Sequence, residues 1–448
     1  MAAASIGLVA VCILANKHLG FLPHRNICLT QRIADTVVEE CTTLLAQGDL
    51  SDQTRADVLF RRALMTTKQD PEAARSDYHA VLELRPDWTW PLHNLGLIYL
   101  NRDEPATALP LFDRALEIDP DAHHRRTSRA KAYFLLERYT EALADTEIVL
   151  KHDTDNSLAQ VLHGRSLAQL GAHDRALAFY SKILLEDGDH SRVRRERAGL
   201  YFRDLDLSSH AEIDLRHALK QNSEDRRALA LLGYVLLHKK RYPEARKAFE
   251  HALAIKPDYG YARRGLTRLE REVTETQEAN TRLSTPLGRE IAGPAFGTVL
   301  ARSYADLGDT ARALVEYDAV LSQEPDNVFA HSGKAKVFQR LDRHEQAIDA
   351  FEGVFASVEP QAGGETVGRD IIEQIYTELG YSYHPLGRGE EALKAWKMGL
   401  TNARENDVSL WQLRLHSAGH FSGPPDGKIN DAFWEGLEAC SVDIACLN

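Results

Sequence analysis

Ten alanines recur along the chain at a nearly fixed interval: Ala74, Ala108, Ala142, Ala176, Ala211, Ala245, Ala279, Ala313, Ala347 and Ala392. The steps between them are 34, 34, 34, 35, 34, 34, 34, 34 and 45 residues. A period of that length, held over most of the chain, excludes one large globular core. It requires a stack of similar units, each burying its apolar face against the next. Four residues after each alanine stands Tyr78, Phe112, Thr146, Tyr180, Leu215, Phe249, Leu283, Tyr317, Phe351 or Trp396, and all but Thr146 are large and apolar or aromatic. Positions i and i+4 share a helical face, so each pair sets a small residue beside a large one on a helix.

A second series runs upstream: Gly96, Ala130, Gly164, Ala198, Gly233, Ala301, Ala335 and Gly380. Three residues after these come Tyr99, Tyr133, Leu167, Tyr201, Leu236, Tyr304, Phe338 and Tyr383. Each unit is therefore predicted to hold two short amphipathic helices, whose small residues let the neighbouring helix approach. Pro86, Pro120, Pro257 and Pro325 close units where a helix cannot continue. Gly171, Gly308 and Asn101-Arg-Asp mark turns.

The pattern resembles the tetratricopeptide repeat, with its Leu-Gly-x-x-Tyr, Ala-x-x-x-Phe and terminal Pro. Leu95-Gly96-Leu-Ile-Tyr99 with Ala108, Phe112 and Pro120 is one good copy, and Leu232-Gly233 with Ala245, Phe249 and Pro257 is another. The resemblance implies an all-α fold, an α-solenoid in which helix-turn-helix units build a right-handed superhelix over residues 55–406. Ten units are expected. The first, 55–88, carries Arg62 at the small site, so its first helix is expected to be poor. Segment 260–293 has Thr267 at the small site and Pro286 in its second helix; it is expected to be a degenerate unit held in phase. The alternative is a long solvated helix from Tyr261 to Asn280. The step of 45 marks an 11-residue insertion near 357–370, a candidate loop containing Gly363-Gly364.

The ends differ from the array. Residues 1–27 form a possible leader: Met1 to Ala15 is almost wholly apolar, yet no Lys or Arg precedes the run and no Ala-x-Ala site follows it. Residues 28–54 are expected to add a capping helix from Leu29 to Gln47. The cysteines are Cys12, Cys28, Cys41, Cys440 and Cys446, with none in the long middle. Loss of a leader leaves two local pairs. Two disulfides, Cys28–Cys41 and Cys440–Cys446, are expected in an oxidising compartment, against reduced thiols in a cytosolic one.

Residues 407–448 form a short helical cap. There Gln412, Leu415, Gly419, Phe421, Gly423, Asp426 and Gly427 are similar to the small peptidoglycan-binding domains of bacterial envelope proteins, whose pattern is Gln-x-x-Leu-x-x-x-Gly-x-Tyr-x-Gly-x-x-Asp-Gly. Asn430 and Phe433 depart from the Gly and Thr that follow in that family. A structural cap built on Trp411, Phe421 and Trp434 is the competing reading.

No phosphate loop, nucleophile elbow or metal-binding His motif is present. No enzyme activity, cofactor or metal is expected. With 54 Lys and Arg against 66 Asp and Glu the chain is acidic, which argues against nucleic acid as a partner. No integral membrane span is expected either.

In the family that the repeats resemble, the first helix of each unit lines a concave groove. Carried onto this chain, groove positions fall on Lys131, Arg165, Arg192, Arg195, Arg203, Arg227, Tyr234, Arg302, Lys336 and Arg340, with Tyr381 among them. Acids are fewer there, so an acidic peptide segment or an anionic glycan is the expected ligand; ordinary solvated charge is the alternative. The functional expectation is a non-enzymatic scaffold binding protein partners in a bacterial periplasm or envelope. The alternatives are a peptidoglycan-associated protein recruiting an enzyme, and a cytosolic adaptor.

Overall fold

The computed structural model describes residues 34–46, 50–285, 295–358, 369–401 and 403–447. Among these residues every regular element is a helix, and no strand is formed. The protein is an α-solenoid. Its helices fall into two compact units, divided between Leu170 and Gly171.

The first unit holds eight helices: α1 (Ala34–Ala46), α2 (Asp52–Thr66), α3 (Pro71–Leu84), α4 (Thr89–Asn101), α5 (Pro105–Ile118), α6 (His123–Leu135), α7 (Tyr139–His152) and α8 (Ser157–Gln169). Local chemistry sets their starts. Ser51 caps α2 by accepting from the Thr54 amide, and Asp70 caps α3 by accepting from the Ala73 amide. Pro71 and Pro105 open α3 and α5 with a preset φ. The small–large pairs then mesh as expected. Ala74, Tyr78, Ala108 and Phe112 are wholly buried, and burying each of the aromatic ones is worth roughly 2–3 kcal/mol. A Cβ on Gly96 would lie 2.6 Å from the Phe112 ring, so only glycine lets α4 and α5 close to this distance.

The second unit holds α9 (His173–Glu186), α10 (Ser191–Arg203), α11 (Ser208–Gln221), α12 (Arg226–His238), α13 (Tyr242–Ile255), α14 (Gly260–Leu283), α15 (Ala295–Asp306), α16 (Thr310–Gln323), α17 (Val328–Arg340), α18 (His344–Val358), α19 (Arg369–Tyr383), α20 (Gly389–Leu400), α21 (Glu405–Ser417) and α22 (Asp431–Val442). The same meshing recurs, with a Cβ on Gly233 falling 2.6 Å from Phe249. The tight turn inside successive pairs places one residue at positive φ: Asp103, Glu137, Gly171, Asp206, Lys240, Gly308, Asp342 and Gly387. Five of these eight are not glycine and carry a strain of about 1 kcal/mol each, set by the turn geometry rather than by the residue.

Two expectations need correction. The helix carrying Arg62 is regular, not poor. Arg62 takes the small site because its guanidinium donates to both carboxylate oxygens of Asp77 on α3, at 2.8 and 2.7 Å. Residues 260–283 form one continuous helix of 24 residues and not the two helices of a degenerate unit, which matches the competing expectation of a long helix. No Gly, Pro or Asn interrupts residues 266–279, and Arg268–Glu272 and Arg271–Glu275 pair one turn apart along the exposed face. Ala262, Gly265 and Leu269 still dock it in the array. The expected capping helix is described as α1 from Ala34 to Ala46, its expected start at Leu29 lying outside the described residues, and its Val37 and Cys41 pack with Val58 of α2. Cys28 and the leader lie outside the described residues, as do residues 359–368 of the insertion.

Candidate functional site

The second unit closes on itself. Helix α21 lies next to α20 in sequence, yet it also docks on α11, about two hundred residues earlier. His210 Nε2 and Ser409 Oγ are 2.8 Å apart, and Leu413 is buried in the apolar cluster that includes Ala211 and Leu215 of α11. The closed run of helices surrounds a cavity of about 1700 Å³. Its walls come from α11, the start of α13, one face each of α15, α17, α19 and α21, and residues 445–447.

Two large apolar side chains stand on this wall in contact with solvent: Val299 is 61% exposed and Phe329 is 67% exposed. Charge surrounds them. Eight Lys or Arg and four Asp or Glu line the cavity, a cationic excess inside an acidic protein.

The acids are already engaged. Glu212 accepts from Lys239 at 2.7 Å and from Arg241 at 2.6 Å. Burial alone would raise its carboxyl, but these two cations outweigh burial and hold it down at about 2. Glu244 pairs with Arg216 and Arg241, and Glu378 with Lys336 at 3.5 Å. Asp306 lies 3.9 Å from Arg340; burial raises its carboxyl against the pull of Arg340 and Arg302.

Two guanidiniums on the wall form no ion pair and no side-chain hydrogen bond among the described residues: Arg302 on α15 and Arg414 on α21. Arg414 is half-buried, with its guanidinium 4.9 Å from the Tyr381 ring centre and 5.6 Å from that of Trp411. Those two rings stack 5.4 Å apart, within 7° of parallel. The aromatic stack fixes the cation in place without neutralising it.

The structure brings only part of the predicted groove set to this cavity. Arg302, Lys336, Arg340 and Tyr381 line it. Lys131 and Arg165 belong to the first unit, where Arg165 sits 4.6 Å over the Phe134 ring. Arg192, Arg203 and Arg227 are exposed but off the cavity wall. Arg195 is not a free groove cation: it is largely buried and pairs with Glu196 and with Asp225, the residue that caps α12. Tyr234 is a packing residue as well, since its hydroxyl donates to the Tyr261 carbonyl at 3.1 Å and its ring meets Phe249 edge-on. Arg414, Arg216, Lys239 and Arg241 escaped the sequence reading because they sit outside the first helices of the repeat. For Arg414, the run of aromatics around it in sequence was a signal, but of a cap.

The cap itself is built from the motif residues. Gln412 is wholly buried; its amide nitrogen donates to Asp426 and to the Lys428 carbonyl, and its oxygen accepts from the Gly427 amide at 2.8 Å. Gly419 and Gly427 have φ of 82° and 75°. Trp411, Leu415, Phe421 and Phe433 join Trp396 in one apolar cluster. Cys440 and Cys446 are joined by a disulfide, with Cα atoms 5.4 Å apart. Cys41 is also disulfide-bonded. Among the described residues no three His, Cys, Asp or Glu are grouped to hold a metal ion, and no helix is long and apolar enough to cross a membrane.

Parts of the chain are similar to known proteins. The DnaJ protein P58IPK homolog B of Oryza sativa subsp. japonica is 28% identical over 153 residues, which is 31% of this chain and 32% of that protein. The human protein O-mannosyl-transferase TMTC1 is 24% identical over 197 residues, 43% of this chain and 22% of that protein. The chain thus spans about a third or less of the length of these curated relatives. Among solved structures, a thermophilic TPR protein of Thermus thermophilus is 19% identical with a TM-score of 0.38, covering 41% of this chain and 99% of that one. The tetratricopeptide-repeat family model matches residues 67–123, 127–191, 197–260 and 298–357, more than half of the chain, and passes over the long α14. The chain belongs to the tetratricopeptide-repeat family.

Proposed function

We propose that this protein is a non-enzymatic scaffold that binds a polypeptide segment of a partner in the cavity of its second unit. The observation that carries this reading is the wall at Val299 and Phe329. Unlike apolar side chains exposed singly elsewhere, these two lie on the wall of one concave cavity, where a bound segment would cover them together. A photo-crosslinking residue at position 329 tests it. A defined protein partner is expected to crosslink there and to be lost in Val299→Asp/Phe329→Asp. A partner that binds the double variant as well as the parent overturns the reading.

We propose further that the protein works in an oxidising compartment, the periplasm of a bacterium being the setting that the two cysteine pairs favour. Support comes from the Cys440–Cys446 bond and from the bonded state of Cys41. Alkylation of the native protein followed by mass spectrometry checks this, and free thiols at Cys440 and Cys446 overturn it. The motif residues of the C-terminal segment are spent on its own fold, which supports a cap over a glycan-binding module.

A further inference from the structure

Helix α21 of the C-terminal segment is more than a cap: it supplies one wall of the cavity and one of the two cations there that form no contact ion pair among the described residues. We propose that Arg302 and Arg414 hold the carboxylates of an acidic polypeptide segment whose apolar side chains cover Val299 and Phe329. The proposal rests on the cavity being the partner site and adds the chemistry of the occupant.

The charges decide the class of ligand. Each carboxylate on the wall already has a cation in contact, whereas Arg302 feels Asp306, and Arg414 feels Glu378 and Glu212, only at a distance and without a contact ion pair among the described residues. A basic or neutral segment would find no free acceptor for its charge and would leave two guanidiniums unpaired as water is expelled. An acidic segment gains charge-assisted hydrogen bonds at both. The aromatic stack of Tyr381 and Trp411 holds the Arg414 guanidinium in one orientation, so less side-chain freedom is lost on binding. Exposed apolar atoms at Val299 and Phe329 add the area that a purely electrostatic contact lacks. The site is assembled across the closure, because Arg302 comes from α15 and Arg414 from the helix docked by Leu413 and Ser409.

The test uses the full chain and two synthetic dodecapeptides, one alternating Asp or Glu with Leu or Phe, the other its Asn/Gln twin, read by fluorescence anisotropy. The acidic peptide is expected to bind, and the amide twin to bind about tenfold more weakly. Arg302→Glu and Arg414→Gln are each expected to weaken the acidic peptide by about tenfold or more, while Arg203→Glu, exposed and off the wall, leaves it unchanged. Arg302 is exposed, so its variant keeps the fold even where loss of the Arg414 stack loosens α21. Equal binding of the two peptides, absence of binding, or unchanged affinity in both arginine variants overturns the proposal. A protein partner that still crosslinks at position 329 in that event preserves the scaffold reading and removes only the acidic chemistry.

Discussion

Ser409 Oγ lies 2.8 Å from His210 Nε2, although 199 residues of chain separate them. This contact and the burial of Leu413 turn a run of helices into a closed wall. Both partners are small pieces of the interface, and Leu413, only 1% exposed, joins the apolar cluster of Ala211 and Leu215 on α11. Leu413→Ala is expected to cost about 2–4 kcal/mol at that interface. Because the loss falls on a contact between elements, α21 should open before the repeats unfold. Hydrogen exchange is the measurement: amides of α21 are expected to lose protection while those of α12 and α13 keep theirs. Uniform loss across the unit would show that the closure is not a separable step.

Asp214 is wholly buried between two arginines, accepting from Arg197 at 2.7 and 2.8 Å and from Arg194 at 3.3 Å. Two buried cations therefore share one carboxylate. Asp214→Ala leaves both without it and is expected to destabilise the protein by about 3–5 kcal/mol in urea unfolding. Asp214→Ala with Arg197→Met removes a cation together with the carboxylate. It is expected to recover part of that loss, since an apolar replacement of a buried pair is often tolerated.

The helices were legible because packing repeats them: a small residue at Gly96 and a large one at Phe112 must recur wherever two helices meet this closely. The ion pairs were less so. Arg62–Asp77, Arg129–Asp145 and Arg197–Asp214 each bridge the two helices of one pair, but sequence charge does not say which carboxylate an arginine meets. Arg195 illustrates this, since its partner Asp225 stands 30 positions later at the start of the next first helix. The closure was not legible at all. It arises from small rotations summed over many pairs, and nothing local to Leu413 names α11 as its neighbour. Arg414 consequently looked like part of a cap, although it lines a cavity.

Glu212 gives the second unit an acid-sensitive support. Its folded carboxyl is held at about 2, below the ordinary glutamate value, by Lys239 and Arg241 against the opposing effect of burial. A depressed carboxyl stabilises the fold above its unfolded value and loses that stability as pH falls toward the folded one. The contribution, about 3 kcal/mol from the size of the shift, should be complete at neutral pH and disappear between about pH 4 and pH 2. Glu212→Gln is expected to lower the midpoint of thermal unfolding at pH 7. The difference from the parent should shrink steadily on acidification through that window. A difference independent of pH would assign the loss to packing instead of charge.

Gly427 holds the C-terminal segment together at one point. Its φ of 75° lies in the left-handed region, and a Cβ there would fall 2.6 Å from the Glu405 carbonyl oxygen. Its amide also donates to Gln412 Oε1, the atom that ties the turn to α21. Gly427→Ala meets both obstacles: about 1–2 kcal/mol for the left-handed backbone, and a clash with main chain that no rotamer relieves. Gly419, at a φ of 82° with open space around its Cβ direction, meets only the first. Gly427→Ala is therefore expected to lower thermal stability clearly more than Gly419→Ala. Near-ultraviolet circular dichroism should show the loss in the tryptophan bands, because Trp396 and Trp411 share the cluster that this turn closes. Equal effects of the two substitutions would mean that backbone strain alone, and not the approach of α21, requires glycine at position 427.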